Sequence, residues 1–479
     1  MSEEDSRFYR SPFVTRWASE EMQRTWGDMH KFRLWRSLWI ALAESQKELG
    51  LDISEEALQQ MRETRDDVDL EAAQEYEREL RHDVMAHVHA WGDQCPAAKG
   101  IIHLGATSCY VADNADLVLM REALNLLLEP LAAACRQLAD FAEDQADVPC
   151  LGFTHFQPAQ LTTIGKRACL WLQDLLQDLE ELSQLTDQMP FRGVKGTTGT
   201  QASYLKLFDG DAGKVRELEK KVADKMGFRR VFPITGQTYP RKFDHTVLSA
   251  LAGLGATLHK MAVDIRLLAG MKEVEEPFGK KQVGSSAMAY KRNPMRCERM
   301  TALSRFLMNN VQNAAFTAGD QWMERTLDDS ANRRLSLAEG FLAADSVCRL
   351  VANITDGLVV NRPVVETRVE SELPFMATEN ILMEAVKAGG DRQELHEQIR
   401  QHSMAAAQRV KQEGGENDLL ERIKGDEAFA AIHDRLDEIV RPAAFVGRAP
   451  EQVREFLRND VDPVLDSFEI QTGGETLRV

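Results

Sequence analysis

The chain is 479 residues long, which exceeds the usual size of one hydrophobic core and predicts a division into two or three parts. Hydrophobic residues make up 43% and charged residues 28%, a composition typical of a folded water-soluble protein and unlike that of disordered chains. The formal net charge of −18 argues against a general binder of nucleic acid or of membrane surfaces, so an anionic substrate would need a local basic pocket.

The cysteines and the first residues bear on the cellular compartment. No two of the seven cysteines have metal-binding or redox spacing, which predicts free thiols in a reducing compartment. Residues 1–5 are acidic and lack the apolar core of a signal peptide, and no run of 18 apolar residues is present. We therefore expect a cytoplasmic protein that neither spans nor binds a membrane.

A repeated apolar seam in the middle of the chain predicts long helices packed at shallow angles. Leucines recur every seven residues from Leu117 to Leu138. Pro130 lies inside this seam and predicts a kink or an interruption of the helix. The same kind of seam returns over residues 172–182 and 247–268.

The rest of the chain adds helices and few strands. Residues 295–362 contain no proline, which permits one or two further long helices, and alternating β-branched runs bounded by turns are hard to find. We predict an all-α fold with an N-terminal helical domain at 1–111, a central long-helix bundle at 112–362 and a C-terminal helical domain at 363–479. Apolar seams on long helices commonly pack against copies of the same chain, so we expect an oligomer, with a monomeric bundle as the alternative.

Three of the eleven histidines lie close together at positions 82, 87 and 89. His87 and His89 would face different sides of a helix and no HExxH pattern is present, so we do not expect a metal site here. Arg81, His82 and Asp83 instead favour the start of a helix or loop beside a ligand. A solvated helix end is the alternative interpretation.

His155 lies in a run of neutral hydrogen-bonding groups that includes Thr154 and Gln157. A histidine in such surroundings suits protonation of a leaving group, although an isolated histidine more often caps a helix or packs in a core. Pro158 follows closely and predicts a turn or a helix start.

A glycine-bearing loop at residues 278–294 concentrates polar side chains, among them Ser285, Lys291 and Asn293. Glycine gives such a loop mobility, so we predict a segment that closes over substrate. A cation near a hydroxyl favours the alkoxide, which predicts an activated serine oxygen. A plain basic surface loop is the alternative interpretation.

Two segments predict anion binding. Residues 325–334 bring together three arginines and Ser330, and forked guanidinium groups suit phosphate and carboxylate equally. Arg16 adds a cation beside an aromatic residue. Thr107 and Ser108 offer hydroxyl and backbone donors to a carboxylate.

Several of these segments together resemble the fumarase/aspartase superfamily. Residues 285–294 read SSAMAYKRNP, which is similar to the specific superfamily signature SSxMPxKxNP. Thr107–Ser108 with Asp113–Asn114, and residues 154–157, resemble its two other blocks in order and spacing. The segments that resemble the adenylosuccinate lyase branch, of the type found in animals, are 81–83, 197–201, 234–237 and 325–334. The resemblance covers nearly the whole chain.

The resemblance implies a three-domain fumarase/aspartase-type fold in which the central bundles of four subunits form the core of a homotetramer, with each site shared between three subunits. It implies purine nucleotide biosynthesis by release of fumarate from two substrates. Adenylosuccinate would give AMP, and succinylaminoimidazole carboxamide ribotide would give aminoimidazole carboxamide ribotide. The expected partners are small purine nucleotides, with no cofactor, metal or nucleic acid.

The resemblance also implies roles for matched positions. Ser285 is expected to be the general base and His155 the general acid, with His82 and Lys291 as further catalytic groups. Lys291 is expected to hold a succinyl carboxylate. The expected substrate-binding residues are Arg16, Trp17, Arg81, His82, Asp83, Thr107, Ser108, Gln237, Lys291, Asn293, Arg299, Arg325, Ser330 and Arg334.

The implied reaction is a β-elimination, which removes a weakly acidic proton beside one carboxylate and expels a nitrogen from the next carbon. The doubly charged intermediate needs preorganised donors and cations, each typically worth about 3–4 kcal/mol. Thr107, Ser108, Lys291 and Asn293 have this chemistry. Residue chemistry alone would nominate a histidine as the base as well, so the choice of Ser285 rests on the resemblance.

Two positions depart from the family pattern. Ala289 stands where the signature has proline, which predicts a more mobile loop and slower closure. Trp17 stands where this branch usually has tyrosine, so stacking remains available but a hydroxyl contact is lost.

Other functions remain open. A lyase acting on argininosuccinate, malate or aspartate would share the fold, but residues 325–334 and Gln237 favour a phosphorylated nucleotide. A non-catalytic protein on this fold, or a helical scaffold for partner helices, would not need Ser285, Lys291 and His155.

Overall fold

The computed structural model describes residues 7–279 and 281–470. Residues 1–5, on which the expectation of no signal peptide rests, and Lys280, in the 278–294 loop, lie outside the described residues. The described chain is mainly helical with short strands, which confirms the predicted all-α fold.

The N-terminal part consists of short helices around the long helix α2. Polar side chains start several of them, because Ser19, Ser54, Asp69 and His82 each accept a hydrogen bond from a backbone N–H of the first turn. The elements are a π-helical turn at Phe13–Trp17, α1 (Glu20–Thr25), α2 (Asp28–Glu48), α3 (Glu55–Glu63), α4 (Leu70–Leu80), α5 (Asp83–Gln94) and a 3-10 turn at Pro96–Ala98.

The central part is a bundle of long helices. Five of its helices pack side by side, and two short ones lie in a crossover between α7 and α10. The helices are α6 (Ser108–Asp144), α7 (Ile164–Asp187), α8 (Ala202–Leu207), α9 (Ala212–Lys225), α10 (Lys242–Gly270), α11 (Met295–Gly319) and α12 (Asp328–Thr355).

The predicted apolar seams form the core of this bundle. The leucines that recur every seven residues from Leu117 to Leu138 are buried in α6, and the seam residues over 172–182 and 247–268 are buried in α7 and α10. Helix α6 runs through Pro130 as one element, so the predicted interruption is wrong. Pro130 is buried in the bundle, and packing against α7 and α12 offsets the backbone hydrogen bond that proline cannot make.

Helix α10 is long and apolar enough to cross a membrane by length and composition alone. Half of its most apolar window is buried, and the helix packs along α11, α7 and α12. These contacts account for its composition as that of a bundle helix.

Four short strands occur in the described residues. Strand β1 (Pro149–Thr154) pairs antiparallel with β2 (Gln157–Thr163), and β3 (Val274–Glu275) pairs antiparallel with β4 (Val359–Val360). The prediction of a turn or helix start at Pro158 needs correction, because this residue lies in β2 opposite Phe153. The turn is made by the two residues between the strands.

The C-terminal part has a core of its own, formed by buried residues between Ala377 and Ile439. Its last helices return to the central bundle, because Val453, Val461 and Leu465 belong to the main core. The elements are α13 (Arg362–Met376), α14 (Thr378–Lys387), α15 (Arg392–Glu413), α16 (Leu419–Lys424), a 3-10 helix at Glu427–Arg435, α17 (Leu436–Ile439), a 3-10 turn at Pro442–Ala444, α18 (Ala449–Phe456), a π-helical turn at Leu457–Val461 and α19 (Asp462–Leu465). The main core joins the N-terminal helices to the bundle, so the three domain boundaries stay predictions.

Candidate active site

Half of the predicted substrate-binding residues line one cleft of about 550 Å³. Its walls include the starts of α2, α5, α6 and α12, so residues distant in sequence meet near helix ends. Unpaired N–H groups and the helix dipole favour anionic ligands at such ends. The predicted residues in the cleft are Arg81, His82, Asp83, Ser108, Arg325, Ser330 and Arg334.

A larger and more open cleft of about 1250 Å³ lies on the other side of the start of α2. It contains none of the predicted site residues. Its Arg24 is paired with Glu20 at 3.2 Å, and its His30 is paired with Glu122 at 2.6 Å. The smaller cleft therefore has the better chemistry for an anionic substrate.

The 81–83 segment is positioned by the junction of α4 and α5, which confirms the predicted helix start. Arg81 ends α4 with a φ of 53°, and His82 caps α5 by accepting a hydrogen bond at Nδ1 from the Met85 N–H, at 3.2 Å. Because Nδ1 is the acceptor, a neutral His82 carries its proton on Nε2. Asp83 accepts a hydrogen bond from Arg334, at 3.1 Å, across the cleft.

Three loops, which contain Gly199, Gly236 and Glu324, pack against one another beside the cleft. Their backbone contacts are so close that only glycine fits. A Cβ atom at Gly199 would lie 1.9 Å from the Thr235 carbonyl oxygen, and one at Gly236 would lie 2.4 Å from the Glu324 oxygen. This stacking places Gln237, whose side-chain amide donates to Thr107 Oγ1 at 2.9 Å. Gln237 and Thr107, both predicted to bind substrate, are therefore in contact.

Arg192 holds the same loops and was not predicted as a site residue. It is fully buried, and its guanidinium donates to the carbonyl oxygens of Gln237, Gly193 and Gly196. A charged residue with three loop carbonyls as partners is a positioning group. Its place just before the 197–201 segment, which resembles the family, was the available sequence signal.

A buried network of charges forms the floor of the cleft, and sequence reasoning missed it as well. Arg241 donates to Asp113 on α6 at 2.9 Å and to Asp329 on α12 at 2.6 Å. Arg333 donates to Asp244 on α10 at 2.7 Å and is paired with Asp116 on α6 at 2.9 Å. The network ties three bundle helices together, and all of its residues except Asp244 themselves line the cleft.

His155 lies outside this cleft, at the exposed tip of the β1–β2 hairpin. His155 and Phe156 form a two-residue turn with φ values of 53° and 57°. Such turns normally use glycine or asparagine, and positive φ is costly for larger residues. A strained histidine presented to solvent supports a functional role for this tip over a capping or core role.

The signature loop places its polar groups around Ser285. The Oγ of Ser285 accepts hydrogen bonds from the Ala287 N–H at 3.3 Å and from the Met288 N–H at 3.1 Å. Donors to this oxygen favour its charged form, which suits a general base. Asn293 donates to the Gly284 carbonyl oxygen at 2.9 Å and so closes the loop, while Lys291 is exposed.

A fourth group of predicted residues lies near the start of α11. The pKa of Arg299 is lowered by burial and by the nearby charge of Arg16. Trp17 packs edge-on against Phe13, with ring centroids 5.7 Å apart. Two neighbouring cations beside an indole would suit an anionic ligand.

The structure therefore places the predicted site residues in four groups: the cleft with the adjacent Thr107 and Gln237, the hairpin tip, the signature loop, and the residues near the start of α11. Among residues 7–279 and 281–470, His155, Ser285 and Lys291 make no hydrogen bond or ion pair with a residue of the cleft, and none of them lines it. One chain does not bring the predicted general acid, the predicted general base and the cleft together.

The histidines at positions 82, 87 and 89 have different neighbours and do not meet at one site. His87 is buried and stacks on Phe32 with centroids 3.9 Å apart, and burial lowers its pKa to about 4. His89 stacks on Tyr76 at 5.4 Å. No cluster of three or more potential metal-binding side chains occurs in the described parts of the chain.

Ala289 occupies a turn that would accept the missing proline. The Lys291 N–H donates to the Met288 carbonyl oxygen at 3.1 Å, so Ala289 is the second residue of a β-turn, the position that favours proline.

We expect Ala289→Pro to keep kcat or raise it modestly and to stabilise the protein by about 0.4–1 kcal/mol, since proline restricts the unfolded chain. Steady-state kinetics and limited proteolysis of the loop check this expectation. Ala287→Pro, which removes a donor to Ser285, is the contrasting variant, and a larger kcat loss in Ala289→Pro than in Ala287→Pro would contradict it.

Comparisons with known structures define the class of protein. The 3-carboxy-cis,cis-muconate lactonizing enzyme from Pseudomonas putida matches with a TM-score of 0.82 at 20% identity, covering 94% of this chain and 98% of that one. A fumarate lyase from Mesorhizobium sp. BNC1 matches with a TM-score of 0.78 at 20% identity, covering 96% of this chain and 100% of that one. The fold is that of the fumarase/aspartase-type lyases.

Sequence comparisons identify the family within this class. The Lyase family model matches residues 15–308, and the model for the adenylosuccinate lyase C-terminus matches residues 374–456. The adenylosuccinate lyase of Saccharomyces cerevisiae is 53% identical over 98% of both chains, and that of Schistosoma mansoni is 49% identical over 96% of both. This chain belongs to the adenylosuccinate lyase family.

Proposed function

We propose that the chain releases fumarate from adenylosuccinate to give AMP, and from succinylaminoimidazole carboxamide ribotide to give aminoimidazole carboxamide ribotide. The observation that carries the proposal is the arginine-lined cleft beside Ser330, on a chain that matches adenylosuccinate lyases over nearly its full length. Forked guanidinium groups and a hydroxyl suit the phosphate of a nucleotide, whereas a small diacid would not need them.

In this mechanism Ser285 removes the proton beside one succinyl carboxylate, and His155 protonates the purine-side nitrogen as the carbon–nitrogen bond breaks. The two backbone N–H groups on Ser285 Oγ support the first role, because they stabilise the alkoxide. Thr107, Lys291 and Asn293 supply donors and a positive charge to the doubly charged intermediate.

The nucleotide part of the substrate would lie in the cleft. Arg325, Ser330 and Arg334 hold the phosphate, and Ser108 adds a hydroxyl at the start of α6. His82 presents Nε2–H as a donor, since Nδ1 is engaged by the backbone. Arg334 exchanges its partner Asp83 for the phosphate on binding.

We also propose a homotetramer in the cytoplasm, with each active site shared between subunits. The separation of His155, Ser285 and the cleft within one chain supports sharing, because the chemistry requires them within hydrogen-bond reach of one substrate. Exposed apolar side chains on the bundle helices support self-association, among them Phe316 and Leu335. The mass in solution tests the tetramer against the chain mass of 53.9 kDa.

The test of the activity is fumarate release by the purified protein from adenylosuccinate, with argininosuccinate and malate as parallel substrates. We expect release from adenylosuccinate alone. Release from one of the other two substrates instead would overturn the substrate assignment. A folded tetramer that releases fumarate from none of them would overturn the proposed activity.

A further inference from the structure

We propose that Lys31, in the first turn of α2, is a direct ligand of the nucleotide phosphate. The inference rests on the proposed function and adds a binding residue that neither the signature motif nor the arginine-rich segment indicates. Lys31 lines the same cleft as Ser108, Ser330 and Arg334, from the N-terminal part of the chain.

Most other cations of the cleft are already engaged by carboxylates. Arg241 and Arg333 are almost completely buried, and each is bound to two aspartates. Arg325 lies 3.8 Å from Asp329, and Arg334 lies 3.1 Å from Asp83. The charges of Arg241 and Arg333 are therefore balanced by buried carboxylates, whereas Arg325 and Arg334 are more exposed and each would bind a ligand in competition with one carboxylate.

Lys31 differs from these arginines. Within residues 7–279 and 281–470, no carboxylate oxygen lies within 4.0 Å of its ammonium group. The ammonium instead lies 5.3 Å from the ring centroid of Phe32 and 5.4 Å from that of Trp35. Contact with aromatic faces holds a cation in place and leaves its hydrogen-bond donors available to a ligand.

The place of Lys31 on its helix also favours an anionic ligand. Helix α2 has 21 residues, and Lys31 is its fourth. The dipole disfavours a cation in the first turn, typically by about 0.3–1 kcal/mol, and favours an anion. A phosphate bound there would interact favourably with the ammonium and with the helix start together.

The titratable groups near the ammonium form no ion pair with it within 4.0 Å in the part of the chain that the structure describes. Asp116 faces it from α6, but this carboxylate is paired with Arg333 at 2.9 Å. Asp28 lies one turn earlier on the same helix and also lines the cleft. His87 packs behind Phe32, and its pKa of about 4, set mainly by burial, keeps it neutral.

The test compares AMP with adenosine, which differ only in the phosphate, by calorimetric titration of the full-length protein. We expect Lys31→Met to weaken AMP binding about tenfold or more and to leave adenosine binding within about twofold, since a hydrogen bond to a charged group is lost. Lys31→Arg should recover most of the AMP affinity. Lys220→Met, at an exposed lysine on α9 paired with Asp224, is the matched control and should bind AMP normally.

The outcomes separate this inference from the proposed function. Binding of AMP by the original protein and equally tight binding by Lys31→Met would overturn the role of Lys31 alone. Equal weakening of AMP and adenosine would also overturn it, because the lysine would then act on the base, the ribose or the fold. No binding of AMP by the original protein would overturn the proposed nucleotide site itself.

Discussion

Replacement of Ser285 or of His155 by alanine is expected to lower kcat about 10²–10⁴-fold, the range that a positioned proton-transfer group contributes. Binding of AMP should survive in both variants, because neither side chain lines the arginine-rich cleft. Fumarate release and calorimetric titration with AMP measure the two effects separately. Ser286→Ala, which removes the neighbouring hydroxyl, is the matched control for Ser285→Ala. Near-normal turnover in either Ser285→Ala or His155→Ala would refute its assigned role.

A mixture of these two inactive variants is expected to regain activity after joint dissociation and reassembly. The hairpin with His155 and the loop with Ser285 are separate in one chain, so a site would take them from different subunits. With random mixing each intact residue is present in half of the subunits, and about a quarter of the sites would hold both. A mixture as inactive as its parents, in a confirmed mixed tetramer, would place both groups in one subunit.

The fold followed from local patterns in the sequence. Apolar seams at 117–138, 172–182 and 247–268 predicted long helices, and these residues are buried in the bundle. The buried face of each helix follows from the spacing of its apolar residues, which can be read from a short stretch of sequence. The β1–β2 hairpin was missed because its turn uses His155 and Phe156 in place of glycine or asparagine.

The residues that touch the substrate in the proposed site were suggested by a motif, whereas those that hold them in place were not. Arg192 and Arg241 look like solvated charges in the sequence, and Arg333 belongs to the segment predicted to bind anions, yet each is buried. Their partners lie on other helices, and no local spacing encodes such contacts. Asp113 and Asp116 gave a weak signal, because they interrupt an apolar stretch of α6.

Replacement of Arg241 by methionine is expected to destabilise the protein by about 3–5 kcal/mol at neutral pH, the usual cost of breaking a buried ion pair. Arg241 is bound to Asp113 and Asp329, and all three are almost fully buried. Methionine fills much of the volume but leaves two carboxylates without their guanidinium. We expect a lower thermal midpoint and weaker AMP binding, since the network is the floor of the cleft. Arg24→Met, at an exposed pair with Glu20, is the control and should change neither.

The effect of this substitution should depend on pH in a defined direction. Burial alone would raise the pKa of Asp113, and the charges of Arg241 and Arg333 outweigh it, so the folded-state pKa is lowered. A lowered pKa contributes stability above the unfolded value of about 3.9, and this contribution is lost as the pH falls through the folded-state value. Without Arg241, the ionised Asp113 carboxylate contributes less stability, and its burial destabilises the folded state at neutral pH. The difference in midpoint between the two proteins should therefore be large at pH 7 and narrow below about pH 4. A difference that stays constant from pH 7 down through the region below pH 4 would show that Arg241 stabilises the bundle by packing and not by its charge.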